Sequence, residues 1–345
     1  MDLIEAYHEV NDILDTLDFE ALFKGFHKYR FALYNSKEIV LDGMVIPYQD
    51  EFRGNTAKKY EEEYIAIWNM EFDPVEDIER LAYLLVHEMF HCHQFMNKTT
   101  DYPSDLDLLN YPDDIENFTK KYNENRYLAN AYELRCNTMM RRFVCIREKR
   151  YKKYPSMVRE EWKVETVEGM AEYIGLKALE RINPEKYNDI INHYLGILRE
   201  ESNLLFDVRR ISYYVGAIFF LCMDRFGFSG NYVLDSEKTA YEQNIIDIEG
   251  IIEEVLPYEF ISSNYEAMVK EKKEKLEAHM ELSNYVECNA LICGYDPMNM
   301  FRLGDLIFCK YFVCLNENGE VKTFNSAIAL KLKDDSNCEV VGYYA

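Results

Sequence analysis

Two histidines and a glutamate in one short segment have the residue types and the spacing of a metal site. His87 and His91 are four residues apart, so on a helix their side chains project from the same face, one turn above the other. Two imidazoles at this spacing can bind one zinc ion, and Glu88 lies where it could take a proton from water. The pattern therefore indicates hydrolysis by a metal-activated water.

The surroundings of this segment favour a metal ion. From Leu81 to Phe90 the apolar residues cover every face, which predicts a buried helix. Histidines and a glutamate inside such a helix carry a desolvation cost on the order of several kcal/mol unless they are paired. A dication would supply that pairing. The alternative is that His87 and His91 are core residues held by ordinary hydrogen bonds.

A third ligand is expected from a second helical segment that ends near Ile182. Within it Glu168 would bind the metal, and Glu172, one turn further on, could accept the free ring N–H of a ligand histidine. Gly169 would let this helix approach the zinc-bearing helix closely.

The sequence Glu168-Gly169-Met170-Ala171-Glu172-Tyr173 resembles the Glu-Gly-x-Ala-x-Tyr motif of the gluzincins, the zinc peptidases that include aminopeptidase N and thermolysin-like enzymes. The resemblance covers roughly residues 60–230 and depends on two short motifs. It implies one Zn²⁺ per chain, held by His87, His91 and Glu168, with Glu88 as the general base. In this family a downstream Tyr or His stabilises the oxyanion.

A tyrosine pair is the candidate for that last role. The segment that begins at Tyr213-Tyr214 resembles a helix found after the third ligand in many such proteins. Tyr213 or Tyr214 would donate a hydrogen bond to the tetrahedral intermediate, and of the two we favour Tyr214. Core packing is the alternative for either residue.

The sequence also departs from the family pattern. Residues 92–167 separate the second histidine from the third ligand, whereas in aminopeptidase-like members the two are close. The Gly-x-Met-Glu-Asn signature that recognises a free amino terminus is absent, and the nearest sequence, Trp68-Asn69-Met70-Glu71, lacks the glycine. The resemblance therefore does not imply exopeptidase activity.

The elements that must position these residues predict an α+β fold that is predominantly helical, with a zincin-like core. Residues 1–72 would form an N-terminal helix and strand region, with Tyr64 to Trp68 as an edge strand that pairs with an extended peptide. Residues 73–284 would form the helical zinc-site region, and residues 285–345 a small β-rich module.

Local signals place the boundaries within these regions. Asp73-Pro74 predicts the start of the zinc-bearing helix, and residues 115–150 predict one long inserted helix. The pairs Asp42-Gly43 and Asn318-Gly319 each predict a hairpin turn.

Composition limits the partners. The formal net charge of −23 repels phosphate backbones and anionic membranes, so we expect no nucleic-acid or membrane partner and propose a peptide or protein substrate. The N-terminal residues lack the features of a signal peptide, and no apolar stretch approaches the length of a membrane helix. Nine cysteines without framework spacing fit reduced thiols, which predicts a cytoplasmic protein.

Three further features have less specific interpretations. His93 faces away from His91 on a helix, so we do not expect it to be a ligand. Cys288 with Cys293, and Cys309 with Cys314, are spaced so that each pair points to opposite faces of a strand. The basic run 141–153 is interpreted as a solvated helix end in an acidic chain.

Two rival functions remain open. The zinc site could be a structural or sensing element of a non-catalytic binding module. Alternatively, Glu88-x-x-His91 and Glu5-x-x-His8 have the spacing of ligands in four-helix di-iron proteins, although the strand signals fit that fold badly.

Overall fold

The computed structural model describes residues 2–97, 99, 101–112, 114–227, 232–244, 246–252 and 254–345. It confirms the α+β class. In this part of the chain the helices are α1 (Leu3–Asp15), α2 (Ile78–Met96), α3 (Asp105–Leu108), α4 (Ile115–Leu134), α5 (Asn137–Lys153), α6 (Pro155–Ile182), α7 (Pro184–Ile197), α8 (Val208–Arg225), α9 (Ala240–Gln243) and α10 (Glu259–Leu282), with a 3₁₀ turn at Asn203–Phe206.

The strands form two separate sheets. The N-terminal sheet contains β1 (Phe31–Tyr34), β2 (Glu38–Leu41), β3 (Met44–Pro47), β4 (Thr56–Tyr60) and β5 (Glu63–Asn69). The C-terminal sheet contains β6 (Tyr285–Tyr295), β7 (Met300–Leu303), β8 (Leu306–Cys309), β9 (Val313–Glu317), β10 (Glu320–Phe324), β11 (Ile328–Leu332) and β12 (Glu339–Tyr344).

The N-terminal sheet has the strand order β3-β2-β1-β5-β4. The Asp42-Gly43 hairpin is confirmed: both residues have positive φ, as the turn requires, and β2 pairs with β3 on either side. The prediction that Tyr64 to Trp68 forms an edge strand was wrong. Strand β5 lies between β1 and β4, because Thr56–Tyr60 folds back as an antiparallel strand and covers it.

Helix α2 carries the histidine segment through the core. Its buried residues include Leu81, Leu85, Met89 and Phe90, which confirms the prediction of a buried helix. The predicted start at Asp73-Pro74 was wrong by one turn. Asp77 caps the helix instead, because its side chain accepts hydrogen bonds from the backbone N–H groups of the second and third helical residues.

The single helix predicted over residues 115–150 is two helices, α4 and α5. The chain breaks at Arg135, which adopts the left-handed conformation with φ 49° and ψ 44°. The two helices then pack against each other, and α4 also packs against α8 and α5 against α6.

The basic run 141–153 is not simply a solvated face. Arg147 and Arg150 are fully buried, where they form ion pairs with Glu124 of α4 and with Glu161 and Glu165 of α6. Lys121 also contacts Glu161. These three cations and three carboxylates form a charge-balanced buried cluster, which we call the ionic cluster. Helix periodicity alone did not reveal it, because its acidic partners lie on other helices.

Helices α6 and α8 cross in direct backbone contact. A Cβ added to Gly169 would lie 2.5 Å from the Gly216 Cα, and one added to Gly216 would lie 2.3 Å from the Glu165 carbonyl oxygen. The sequence predicted that Gly169 would lie close to the histidine-bearing helix. That prediction was wrong, because the close partner of Gly169 is α8. The small residue that faces α2 is Gly175, where an added Cβ would meet the Tyr83 ring at 2.9 Å.

The C-terminal sheet has the order β10-β9-β6-β12-β11-β8-β7 and its own apolar core, including Ile307, Val313, Ile328 and Leu330. The Asn318-Gly319 turn is confirmed by positive φ at both residues, between the antiparallel strands β9 and β10. All nine cysteines are free thiols. Among the described residues, no cysteine belongs to a cluster of side chains that lie close enough together to hold a metal ion.

Among the described residues, no helix has both the length and the apolar character needed to cross a membrane.

The glycine contact between α6 and α8 generates a stability prediction. We expect Gly216→Ala to lower the free energy of unfolding by about 1–3 kcal/mol, because the methyl group would force the helices apart. Gly196→Ala is the matched control, since an added Cβ there meets no heavy atom within 4 Å. That change should raise the stability by about 0.5–1 kcal/mol. Urea unfolding followed by circular dichroism measures both, and equal effects of the two substitutions would contradict the contact.

Candidate metal site

Three potential ligand atoms converge where α2 meets α6. The His91 Nε2 lies 3.1 Å from the His87 Nε2 and 3.2 Å from the Glu168 Oε2, and the His87 Nε2 lies 3.8 Å from the same oxygen. The four-residue spacing puts both imidazoles on one face of α2, and α6 crosses that face with Glu168 turned towards them. The structure thus brings together the three residues named as ligands from the sequence.

Glu172 holds the His87 ring in place. The His87 Nδ1 lies 2.9 Å from the Glu172 Oε2, so the carboxylate accepts the Nδ1–H. The hydroxyl groups of Tyr83 and Tyr194 both donate to the other oxygen of Glu172. Glu172 is therefore placed as the sequence suggested, and three donors fix its orientation.

Gln94 does the same for His91. The Gln94 amide nitrogen donates to the Val167 carbonyl oxygen at 3.0 Å, which leaves its own oxygen facing His91. That oxygen lies 2.7 Å from the His91 Nδ1 and accepts its proton. Both histidines thus have their Nδ1–H groups engaged, and both direct Nε2 towards Glu168.

This arrangement fits zinc. Two imidazole nitrogens and a carboxylate oxygen, with the outer ring nitrogens hydrogen-bonded, form a donor set of catalytic zinc sites. Ligand bonds of about 2.0–2.2 Å in a tetrahedral geometry place ligand atoms about 3.3–3.6 Å apart. The three observed separations of 3.1, 3.2 and 3.8 Å bracket that range.

Arg209 holds the remaining oxygen of Glu168. The Arg209 Nη2 donates to the Glu168 Oε1 at 3.1 Å, and the Nη1 lies 2.8 Å from the Asp105 Oδ1. The guanidinium group thereby leaves only one oxygen of Glu168 to face the histidines. Helix α3, which carries Asp105, thus supports the site through Arg209.

Burial and charge set the protonation of these groups. Burial would lower the pKa of His87, but hydrogen bonds to Glu168 and Glu172 outweigh it and raise that pKa to about 10. Burial would raise the pKa of Glu168, but the charge of His91 and hydrogen bonds to both histidines hold it well below its usual range. The pKa of Glu88 is raised by burial, and the nearby imidazoles oppose this without reversing it.

A cleft of about 860 Å³ opens beside the site, and His87, Glu88, Tyr213 and Tyr214 line it. The Tyr213 ring lies parallel to the His87 ring, with centroids 6.3 Å apart. Burial and the neighbouring Glu168 raise the Tyr213 pKa well above its usual value, so its hydroxyl keeps its proton. The Tyr214 ring packs edge-on against Tyr194, with centroids 4.7 Å apart. Tyr213, rather than the preferred Tyr214, is therefore the tyrosine against the ligand cluster.

Other sequence candidates lie elsewhere. His93 is buried among aromatic rings, including Phe23, Phe26 and Phe90, away from Glu168. Glu5 and His8 are exposed on α1, and neither belongs to a potential metal-binding group among the described residues. The residues of a di-iron arrangement are thus not brought together.

Sequence reasoning missed four residues that support the site. Tyr83 precedes His87 by four residues and Gln94 follows His91 by three, so helical spacing could have indicated both. Arg209 precedes Tyr213 by four residues and could have been found in the same way. Tyr194 gives no local signal, because it reaches Glu172 from helix α7.

Metal content tests the ligand set. We expect about one zinc per chain in protein purified without added metal, and its loss in His91→Ala and Glu168→Ala. Glu172→Gln should weaken zinc binding by about 10- to 100-fold, because the His87 ring loses its charged acceptor. Glu180→Gln, at an exposed position of the same helix, is the matched control. Competition with a chromogenic chelator measures the affinities, and unchanged affinity in Glu168→Ala would refute the assignment.

The buried His93 predicts a pH-dependent stability that is independent of metal. Burial lowers its pKa from 6.5 to about 4, so the unfolded chain takes up this proton at a higher pH than the folded chain. Stability is therefore lost as the pH falls from about 6.5 towards about 4, by about 2 kcal/mol between about pH 7 and about pH 5. His93→Gln should lose correspondingly less over that range. Urea unfolding of chelator-treated protein measures this, and parallel pH profiles of the two proteins would contradict it.

Comparisons of the chain with protein-family models, with curated proteins and with solved structures found no match. The assignment of function therefore depends on the residues of the site and their geometry.

Proposed function

We propose that this chain is a zinc-dependent metallopeptidase that hydrolyses peptide bonds. The observation that carries the proposal is the convergence of the His87, His91 and Glu168 ligand atoms beside a cleft lined by Glu88. The gluzincin resemblance of the two short motifs supports the same conclusion. A zinc ion there would supply Lewis-acid chemistry, since it polarises a scissile carbonyl and acidifies water.

Glu88 is the general base. It follows His87 directly on α2 and lines the cleft, so a carbonyl and a water at the ligand cluster are within its reach. Its pKa is raised by burial, which brings a carboxylate closer to the range in which proton transfer at neutral pH is efficient. Glu88 takes the proton from the attacking water and passes it to the leaving amine.

Tyr213 stabilises the oxyanion. Its hydroxyl stays protonated because burial and Glu168 raise its pKa, so it can donate a hydrogen bond. Its ring lies against His87, close to the position where negative charge develops. Tyr214 lines the same cleft, but its ring packs on Tyr194.

Glu88→Gln separates the chemistry from the metal site. We expect this variant to retain zinc and to lose at least about 10²-fold in kcat, because the amide cannot accept the proton. Cleavage of a peptide mixture, followed by mass spectrometry, and zinc content measure the two effects. Full activity of Glu88→Gln would overturn the mechanism. If zinc-loaded protein cleaves no peptide, the site belongs to a non-catalytic binding module.

The two tyrosines provide a matched pair. Tyr213→Phe should lower kcat by about 10²- to 10³-fold with little change in KM, because a hydrogen bond made in the transition state is lost. Tyr214→Phe should have a much smaller effect. The reverse order would assign the oxyanion to Tyr214.

A further inference from the structure

The C-terminal sheet reaches the candidate cleft through the turn between β6 and β7. Met298, in this turn, lines the cleft that contains Glu88. It also lines a second cavity of about 540 Å³, on the side of Asp105 and Arg209. One turn of the chain therefore forms part of the wall between the two cavities.

This turn is rigid. The Asp296 side chain accepts hydrogen bonds from the Met298 backbone N–H at 3.0 Å and from the Asn299 amide at 2.8 Å. The Lys310 backbone N–H donates to the Asn299 carbonyl at 2.9 Å and ties the turn to the sheet. These hydrogen bonds hold the turn that carries Met298 beside the cleft.

The sheet itself is held to the helices beside the site. Asn337 accepts a hydrogen bond from Asn110 at 2.7 Å and donates one to Asp107 at 2.6 Å. Leu106 and Leu109 pack against the core of the sheet. Helix α3 also carries Asp105, which lies beside Arg209. The same helix therefore supports both the C-terminal sheet and the arginine that holds Glu168.

Exposed residues also line the cleft, among them Arg80, Asp189 and His193. A substrate can therefore enter the cleft beside these residues.

A cation lies beside Met298 in the cleft. The Arg210 Nη2 donates to the Met298 carbonyl at 2.9 Å, and Arg210 lines the cleft beside Tyr214. Its ion pair with Asp207 is long, at 3.5 Å, and the two side chains are 42% and 36% exposed, so it neutralises the guanidinium group only weakly. Lys186, also in the cleft, is instead paired with Asp77 at 2.6 Å and with Glu79 at 2.7 Å.

We propose that the cleft takes peptides by their C-terminal end, with Arg210 binding the α-carboxylate and Met298 blocking a longer chain. The inference builds on the proposed peptidase function and narrows its substrates to peptides that end close to the bond that is cleaved. A planar guanidinium group is suited to a carboxylate, with which it can form two parallel hydrogen bonds. The chain as a whole carries a net charge of −23, so its overall field repels an anionic terminus and a preference for one requires a local cation.

Binding to the Glu88→Gln variant tests the inference without turnover. The probes are fluorescein-labelled hexapeptides that end in Ala, Leu, Phe or Lys, each made with a free carboxylate and with a C-terminal amide. Fluorescence polarisation should show about 10- to 100-fold tighter binding of the acid than of the amide for the best sequence. Adding Arg210→Gln should remove this difference by weakening the acid alone, and Arg210→Lys should retain part of it.

Arg80→Gln, at an exposed cation that lines the same cleft, is the matched control and should leave the preference for the acid unchanged. Equal binding of acid and amide, or no binding of either, overturns the inference. So does an Arg210→Gln effect that is the same for both forms.

Turnover by the unaltered protein separates this inference from the proposed function. One outcome is that short C-terminal fragments are released from the acids, while the amides are cut at least about tenfold more slowly. This outcome supports both the inference and the proposed function. Cleavage of internal bonds regardless of the terminus leaves the peptidase function standing and overturns the role of Arg210. In the first case, Met298→Gly should allow cleavage further from the C-terminus.

Discussion

The candidate site depends on how closely helix α6 can approach two neighbours at once. Backbone contact between Gly169 and Gly216 sets its distance from α8, and the contact of Gly175 with the Tyr83 ring sets its distance from α2. Glu168 lies next to the first of these contacts. Metal–ligand distances tolerate deviations of only about 0.2 Å, so a methyl group at either side of the crossing would move the third ligand out of range. The glycines at these contacts therefore determine whether the three side chains could share one ion.

The ionic cluster restricts the rotation of α6 about its own axis. Glu161 and Glu165 lie about two and one turns before Glu168 and are held by Arg147 and Arg150 of α5. Desolvation offsets most of the attraction in such a buried pair, so the cluster is a weak source of stability. Loss of one partner, however, would leave an uncompensated buried charge at a cost of about 3–5 kcal/mol. Its contribution is thus to exclude other orientations of the helix that carries the ligand.

A contact in this structure could be predicted from the sequence when its residues lie on one helix or strand. His87, Glu88 and His91 share one helix, and their spacing was sufficient to place them on one face. Glu168 and Glu172 were found through a motif that encodes the same periodicity. The sequence did not reveal that Arg209 would reach Glu168 or that Met298 would reach the cleft, because both contacts depend on tertiary packing. The edge strand was misassigned for the same reason: the short polar strand β4, whose alternation is weak, covers β5.

The raised pKa of His87 bears on whether the site can hold zinc at neutral pH. With a pKa of about 10, this ring carries a proton on both nitrogens at pH 7, and one of its two carboxylate partners, Glu168, is also a proposed metal ligand. Removing that proton at pH 7 costs about 4 kcal/mol. Zinc bound by protein ligands at neutral pH gains about 10–16 kcal/mol in small structural sites. A zinc ion bound by His87, His91 and Glu168 would therefore displace the proton even if this site were weaker than those. The carboxylates that raise the pKa of His87 would also raise the affinity for a dication, so a proton and a zinc ion would compete for the same preorganised position.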